Sequence, residues 1–159
     1  MKDLRLVIGN KNYSSWSMCP WLLLKMFAVE FEEIQIALYQ DNTAEKLGPY
    51  SPSLKVPVLL HKEITIWDSL AICEYISEQL LSNSAWPKSP KRRASARAVS
   101  AEVHSEFPLL KKEWPLNCKG AFKLKPSSEL FDEAARVDAI WSCCRRKFGE
   151  NGNYLYGRF

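Results

Sequence analysis

Two short apolar runs with a helical segment between them constrain this chain more than anything else in it. Leu4, Leu6 and Ile8 alternate with Arg5 and Val7, the period of a strand with at least one buried face. Trp21 to Val29 follows, rich in helix formers, and then "FEEIQIAL", where Ile34, Ile36 and Leu38 alternate again. Strands joined through a helix are expected to lie parallel, with a right-handed crossover. The next stretch, "YQDNTAEKLGPYSPSLK", holds Gly48, Pro49 and Pro52 and leaves room for one irregular helical turn at most. "VPVLLHKEITIWD" then reads as two short strands around a tight polar turn at His61 to Glu63, an antiparallel edge to the sheet. Asp68 or Ser69 caps "LAICEYISEQL", in which Ile72, Ile76 and Leu80 share one face.

The order β-α-β-α-β-β-α is that of a thioredoxin-like α/β domain, expected over residues 1–81. "LSNSAWPKSP" has the serines, asparagine and prolines of a boundary, so 82–90 is read as a linker. From 91 to 159 the period is helical throughout. Ala94, Ala98, Ala101 and Ser105 make a small-residue stripe along one long helix, which Pro108 should kink or restart. "NCKGAFKLKPSS" is a loop, and Ser127 or Ser128 opens a further helix through Leu130, Ala134, Val137 and Ile140–Trp141 to about Phe148. Two long helices are too few to cover their own apolar faces, and the chain stops on the aromatic "NYLYGRF". It therefore reads as the front part of a longer protein, with an incomplete all-α second domain.

Composition excludes several classes. With 47% hydrophobic and 25% charged residues, the chain is that of a soluble globular protein. Its longest apolar run, Trp21 to Val29, is interrupted by Lys25 and is too short for a bilayer, and "MKDLRLVIGNKN" lacks a signal peptide's apolar core. A cytoplasmic location is expected, with no membrane partner. The most basic run, "KSPKRRASAR", has no aromatic to stack on bases and is followed by Glu102 and Glu106, so it reads as a solvated helix start rather than a nucleic-acid surface. Five cysteines without C-x-x-C spacing, and two histidines far from one another, argue against both a disulfide framework and a metal site.

The chemistry is expected at "NYSSWSMCPWLLLK". Pro20 lacks an amide hydrogen and fits the first turn of a helix. With Ser17 as N-cap, Pro20 falls at the third helical position, and Ser14 and Ser15 lie just ahead of the helix. There the dipole favours an anion and lowers a nearby thiol's pKa from its usual value of about 8.5, while a serine hydroxyl donates to the sulfur. With Cys19 as N-cap instead, Pro20 takes the first position, and "CPW" looks like a glutaredoxin-type site with Cys19 as nucleophile. A plain capped helix with a gap-filling cysteine is the third possibility. Further along, Val56-Pro57 opening a strand is a candidate cis bond that turns the Val56 backbone outward, beside Lys55, to pair with another peptide. Asp68 and Ser69 at a helix start suit a ligand with both an ammonium and a carboxylate. Together these describe a pocket for a short thiol peptide with a free α-amino acid end, which is glutathione.

At this point the sequence resembles the glutathione transferases, most closely the zeta-like group that includes maleylacetoacetate isomerases. "SSWSMCPWLLLKMFAVEFEEIQI" is similar to that group's "SSCSW-R-V-R" helix start and following strand, and "SPSLKVPVLL" and "ITIWDSLAICEYISE" to its Val-Pro and acidic-Ser-x-Ala-Ile motifs. "WPKSPKRRASARAVSAEVHSEFPLL" looks like the opening helix of its all-helical domain. The resemblance implies Ser14 as the residue activating the glutathione thiol, with Ser15 beside it. It implies Val56 and Pro57, with Lys55, at the cysteinyl backbone, and Asp68 and Ser69 at the γ-glutamyl end. It also implies a homodimer, glutathione as cosubstrate and a small electrophile, in transfer or in cis-trans isomerisation. In three places the chain departs from the pattern. Cys19 stands where an arginine is usual, Trp16 replaces a small cysteine, and Leu54 sits where a glycine is common.

Overall fold

The computed structural model describes residues 3–123, 125–149 and 152–157. They divide into two compact units, Met1–Asn83 with Leu116–Lys119, and Ser84–Pro115 with Gly120–Phe159.

The front unit runs β1 (Leu4–Ile8), α1 (Ser15–Met26), β2 (Glu32–Gln35), α2 (Thr43–Leu47), β3 (Val58–His61), β4 (Ile64–Trp67) and α3 (Ser69–Leu80). The sheet order is β2-β1-β3-β4, with β1 and β2 parallel and the other pairs antiparallel. This is the thioredoxin-like arrangement expected from the period of the apolar residues. Period-2 alternation then separates two cores. Leu4, Leu6 and Ile8 of β1 pack with Leu59, with Leu24 and with Ile72 and Ile76 of α3. Val7, Val58 and Leu60 point the other way and meet Ile36 and Leu47. Burying each such side chain is worth about 1.5–3 kcal/mol before chain entropy is subtracted. β2 is shorter than the alternation of Ile34, Ile36 and Leu38 predicts, because pairing with β1 stops at Gln35.

The second unit holds α4 (Pro90–Ser105), α5 (Pro108–Glu113) and α6 (Ser128–Phe148). Pro108 restarts the helix, and Phe107 before it adopts the left-handed backbone, φ 63°. The Glu133 carboxylate accepts from the Leu109 and Leu110 amides at the start of α5 (3.2 and 2.8 Å). Arg136 on α6 makes a two-pronged pair with Glu102 on α4. The core here is small, with Phe107, Ile140 and Cys144 buried together. The small-residue stripe Ala94, Ala98, Ala101 and Ser105 is exposed, and Ala96 is the buried residue of α4. Trp141 on α6 is 54% exposed.

No helix among the described residues is long and apolar enough to cross a membrane.

Candidate functional site

The site forms where β1 hands over to α1. Gly9 ends the strand in close contact with both flanks: a Cβ there would lie 2.6 Å from Leu38 Cδ1 and 3.1 Å from Ser14 Cβ. The loop then folds on Asn10. Its carbonyl accepts from the Tyr13 and Ser14 amides, and its side-chain oxygen accepts from the Asn12 amide. One flank is tied to β2, where Glu33 accepts from Lys11 Nζ (2.7 Å) and Trp21 Nε1 (2.8 Å). Burial acts to raise the Glu33 carboxyl, but those two hydrogen bonds and the Lys11 and Lys25 charges outweigh it and hold it below its ordinary range. The other flank is tied to Leu116–Lys119, since the Cys118 amide donates to the Asn12 carbonyl and to Asn12 Oδ1 (3.1 and 2.9 Å).

The helix begins earlier than either predicted start. Ser14 is the N-cap and Ser15 the first helical residue. The turn on Asn10 delivers Ser14 into position, and its carbonyl already accepts from the Met18 amide (3.1 Å). Pro20 therefore lies inside the helix rather than at its first or third position. It is buried, and its ring provides no amide for the preceding turn. Neither Ser17 nor Cys19 is the cap. Ser14 is buried, and the backbone amides of Ser15 and Ser17 have no partner among the described residues, so they point at the helix terminus as ready anion donors.

In the sequence Ser17 reads only as a possible cap; in the structure it is the partner of Ser14. It is fully buried, and its hydroxyl oxygen accepts from Ser14 Oγ (2.8 Å) and from the Gly9 amide (3.1 Å). The available signal was the spacing Ser14-x-x-Ser17, which joins one helical face across the cap.

Cys19 sits in the second turn, where its thiol reaches back towards the Ser15 carbonyl (3.5 Å). Although the residue is exposed, desolvation pushes the thiol up, a backbone hydrogen bond opposes this, and the Asp68 charge adds to the rise. On neighbouring α3, burial pushes Cys73 up to about 12, with the Cys19, Glu74 and Asp68 charges adding to the effect. The dipole-lowered thiol expected of a nucleophilic Cys19 is thus not what its surroundings produce.

The Val56–Pro57 bond is cis, as the sequence predicts. Val56 precedes β3 and is half-buried, and its backbone N–H and C=O have no partner among the described residues. The turn before it is built on buried Ser51, whose hydroxyl donates to the Lys55 carbonyl and accepts from the Lys55 amide. Leu54 in that turn has φ 53°. Glycine enters this left-handed region without cost and a leucine does not, which accounts for the glycine common at this place in the resembled family.

Asp68 is the N-cap of α3 and accepts from the Leu70 amide (2.9 Å). Its backbone is also left-handed, φ 42° with ψ 156°, a conformation that costs a non-glycine residue about 1–3 kcal/mol. Ser69 beside it is buried, and its hydroxyl has no partner among the described residues. The three parts of the predicted site thus carry unpartnered groups in the Ser15 and Ser17 amides, in the Val56 N–H and C=O, and in the Ser69 hydroxyl. A cavity of about 470 Å³ in the second unit, lined by Trp86, Val99, Tyr154 and Tyr156 among others, includes none of them. Among the described residues no group of His, Cys, Asp and Glu is placed to hold a metal, and the five cysteines are free thiols.

The family model of the glutathione S-transferase N-terminal domain matches residues 10–78, which span all three parts. A probable maleylacetoacetate isomerase of Caenorhabditis elegans is 36% identical over 97 residues, 58% of this chain and 45% of that protein. Glutathione S-transferase U16 of Arabidopsis thaliana is 34% identical over 102 residues, 62% of this chain and 44% of the relative. The chain thus spans less than half the length of these two relatives. A glutathione transferase homolog from Burkholderia, solved with bound glutathione, superposes over 98% of this chain and 74% of its own, with a TM-score of 0.69 and 23% identity. Over residues 10–78, then, the chain is similar to the glutathione S-transferase N-terminal domain.

Proposed function

We propose that the front unit binds glutathione and holds its sulfur as a thiolate at the start of α1. The thiolate is then ready to attack an electrophilic carbon of a small molecule. The observation that carries this reading is Ser14, a buried hydroxyl at the N-cap of α1 beside the unpartnered Ser15 and Ser17 amides. The dipole and these donors favour the thiolate over the thiol. The peptide would run along Val56, whose free N–H and C=O can pair with the cysteinyl residue beside Pro57 and Lys55. Asp68 would meet the γ-glutamyl ammonium, with Ser69 at its carboxylate.

The chemistry follows from the sulfur. The thiol proton leaves to water and the sulfur lone pair forms a C–S bond while a leaving group departs with its bonding pair, or while the π pair of a double bond moves to the next carbon and takes a proton, and the product is a thioether. On a cis-olefinic acid, addition, bond rotation and elimination return glutathione and leave the trans isomer. The relatives' names include both transferases and isomerases, which supports the shared thiolate and favours neither outcome.

A second copy of the chain is the proposed partner. Edge strand β4 leaves Ile64 and Trp67 about half exposed (49% and 47%), a surface suited to burial in a dimer. A cytoplasmic setting agrees with five free thiols. Replacing Ser14 by Ala tests the central assignment. Turnover of a generic electrophile should collapse while glutathione binding changes little, and unchanged turnover would remove Ser14 from its role. Glutathione binding by the parent chain without turnover on any electrophile would assign a non-catalytic binding module. Turnover lost with Cys19→Ser but kept with Ser14→Ala would assign a thiol transferase.

A further inference from the structure

Ser14 gives its one proton to Ser17 Oγ (2.8 Å), so the oxygen it offers a sulfur carries only lone pairs. A thiolate needs a donor. Ser17 accepts twice, from Ser14 and from the Gly9 amide (3.1 Å), and no residue described in the structure takes its own hydroxyl proton. Both hydroxyls can therefore rotate together without losing the Gly9 contact.

We propose that Ser17 is a positioning residue which, once glutathione is bound, donates to Ser14 Oγ and so turns the Ser14 proton onto the sulfur. This rests on the glutathione reading above. No covalent bond is made or broken: two hydroxyl protons swing, the Gly9 N–H stays on Ser17, and the thiol proton has already left to water. The chain Gly9 N–H to Ser17 O–H to Ser14 O–H to sulfur polarises each member in turn, in a site where Ser17 is fully buried. The main-chain end of β1 thereby helps to set the acidity of the bound thiol.

The test is a pH titration of the ultraviolet absorbance of bound thiolate, with glutathione binding measured alongside by calorimetry. Ser17→Ala should cut the thiolate fraction on the acidic side of the titration by roughly tenfold, with glutathione affinity within about threefold of the parent. The double variant with Ser14→Ala should add nothing beyond Ser14→Ala alone, because Ser17 acts through Ser14. Since Ser17→Ala also strips the Gly9 amide of its acceptor, Ser17→Thr and Ser17→Val form a second comparison, each first checked for folding by circular dichroism. They share one shape and differ in the hydroxyl, so Thr should keep the parent titration and Val should lose it. An unshifted titration in Ser17→Ala or Ser17→Val, or full additivity in the double variant, overturns the proposal while leaving the glutathione reading intact. A folded parent chain that does not bind glutathione overturns both.

Discussion

The two units spend their apolar residues differently. In the front unit every strand of the sheet but the edges is covered on both sides, one face by Leu24, Ile72 and Ile76 and the other by Ile36 and Leu47. In the helical unit the buried cluster is Phe107, Ile140 and Cys144, while Phe122, Phe131 and Trp141 stand 67%, 56% and 54% exposed. A sheet with an alternating pattern sorts its side chains to two faces automatically, and each face needs only one layer to close it. Helices close a core only when enough of them surround it, and three helices with one buried cluster do not. The site residues accordingly sit at strand and helix ends of the better-packed unit, where the backbone is held firmly enough to leave polar groups deliberately unpaired.

The contrast can be broken in several ways, of decreasing effect. The largest expected change is in turnover. Ser14→Ala should lower kcat by about a hundredfold or more, the usual cost of one donor aimed at developing or stored charge, with glutathione affinity nearly kept. Steady-state rates paired with calorimetry would show it, and a tenfold fall in affinity with unchanged kcat would reassign Ser14 to binding alone.

Next come the cores. Leu6 lies fully buried in β1, so Leu6→Ala should cost about 3–5 kcal/mol in urea unfolding of the front unit. Ile140→Ala should cost the helical unit less, about 1–2 kcal/mol, because a small open cluster relaxes around the loss. Equal costs would mean that the two units are packed alike. Hydrogen exchange should agree, with β1 and β3 amides the slowest and those of α6 faster.

A pH effect of moderate size is expected at Glu33. Its folded-state pKa is held below the ordinary value of 4.5, so its stabilising contribution is complete above that value and is lost as pH falls through the lower folded one. Glu33→Gln should flatten the acid limb of the stability profile of the front unit, and an unchanged limb would show that Lys11 and Trp21 do not depend on its charge.

The smallest effect is at Leu54. Its left-handed backbone costs a leucine about 1–2 kcal/mol, and glycine there returns roughly half of that in lost unfolded-state constraint. Leu54→Gly should therefore stabilise by about 0.5 kcal/mol, visible as a small rise in the unfolding midpoint.

How much of this was legible follows from the same physics. The alternation at Leu4, Leu6 and Ile8, the Val-Pro opening of β3 and the Asp68 cap are local signals, and the structure has the strands, the cis bond and the cap where they point. Pro20, a residue suited to a helix's first turn, predicts a later start for α1 than the one at Ser15. What fixes the start is a turn on Asn10 that collects the Tyr13 and Ser14 amides, and no propensity records it. Ser17's contact with Gly9 was equally hidden, since it joins the end of a strand to the first turn of the next helix. The anchoring of Asn12 by Cys118 spans 106 residues of sequence, and nothing local to either residue announces it. In the second unit the helical period marks the helices, but the buried side of α4 is not legible, because Ala96 alone carries little hydrophobic signal beside the more regular row of alanines at 94, 98 and 101.

The most direct measurement of the glutathione site is calorimetric titration of the folded chain with glutathione, repeated with Asp68→Asn. Asparagine keeps the cap to Leu70 and tolerates the left-handed backbone, so the change removes the charge and little else. Saturable one-site binding by the parent chain, weakened by about tenfold in the variant, is the predicted result. A folded chain that gives no saturable heat, or one whose binding ignores the loss of the Asp68 charge, would contradict it.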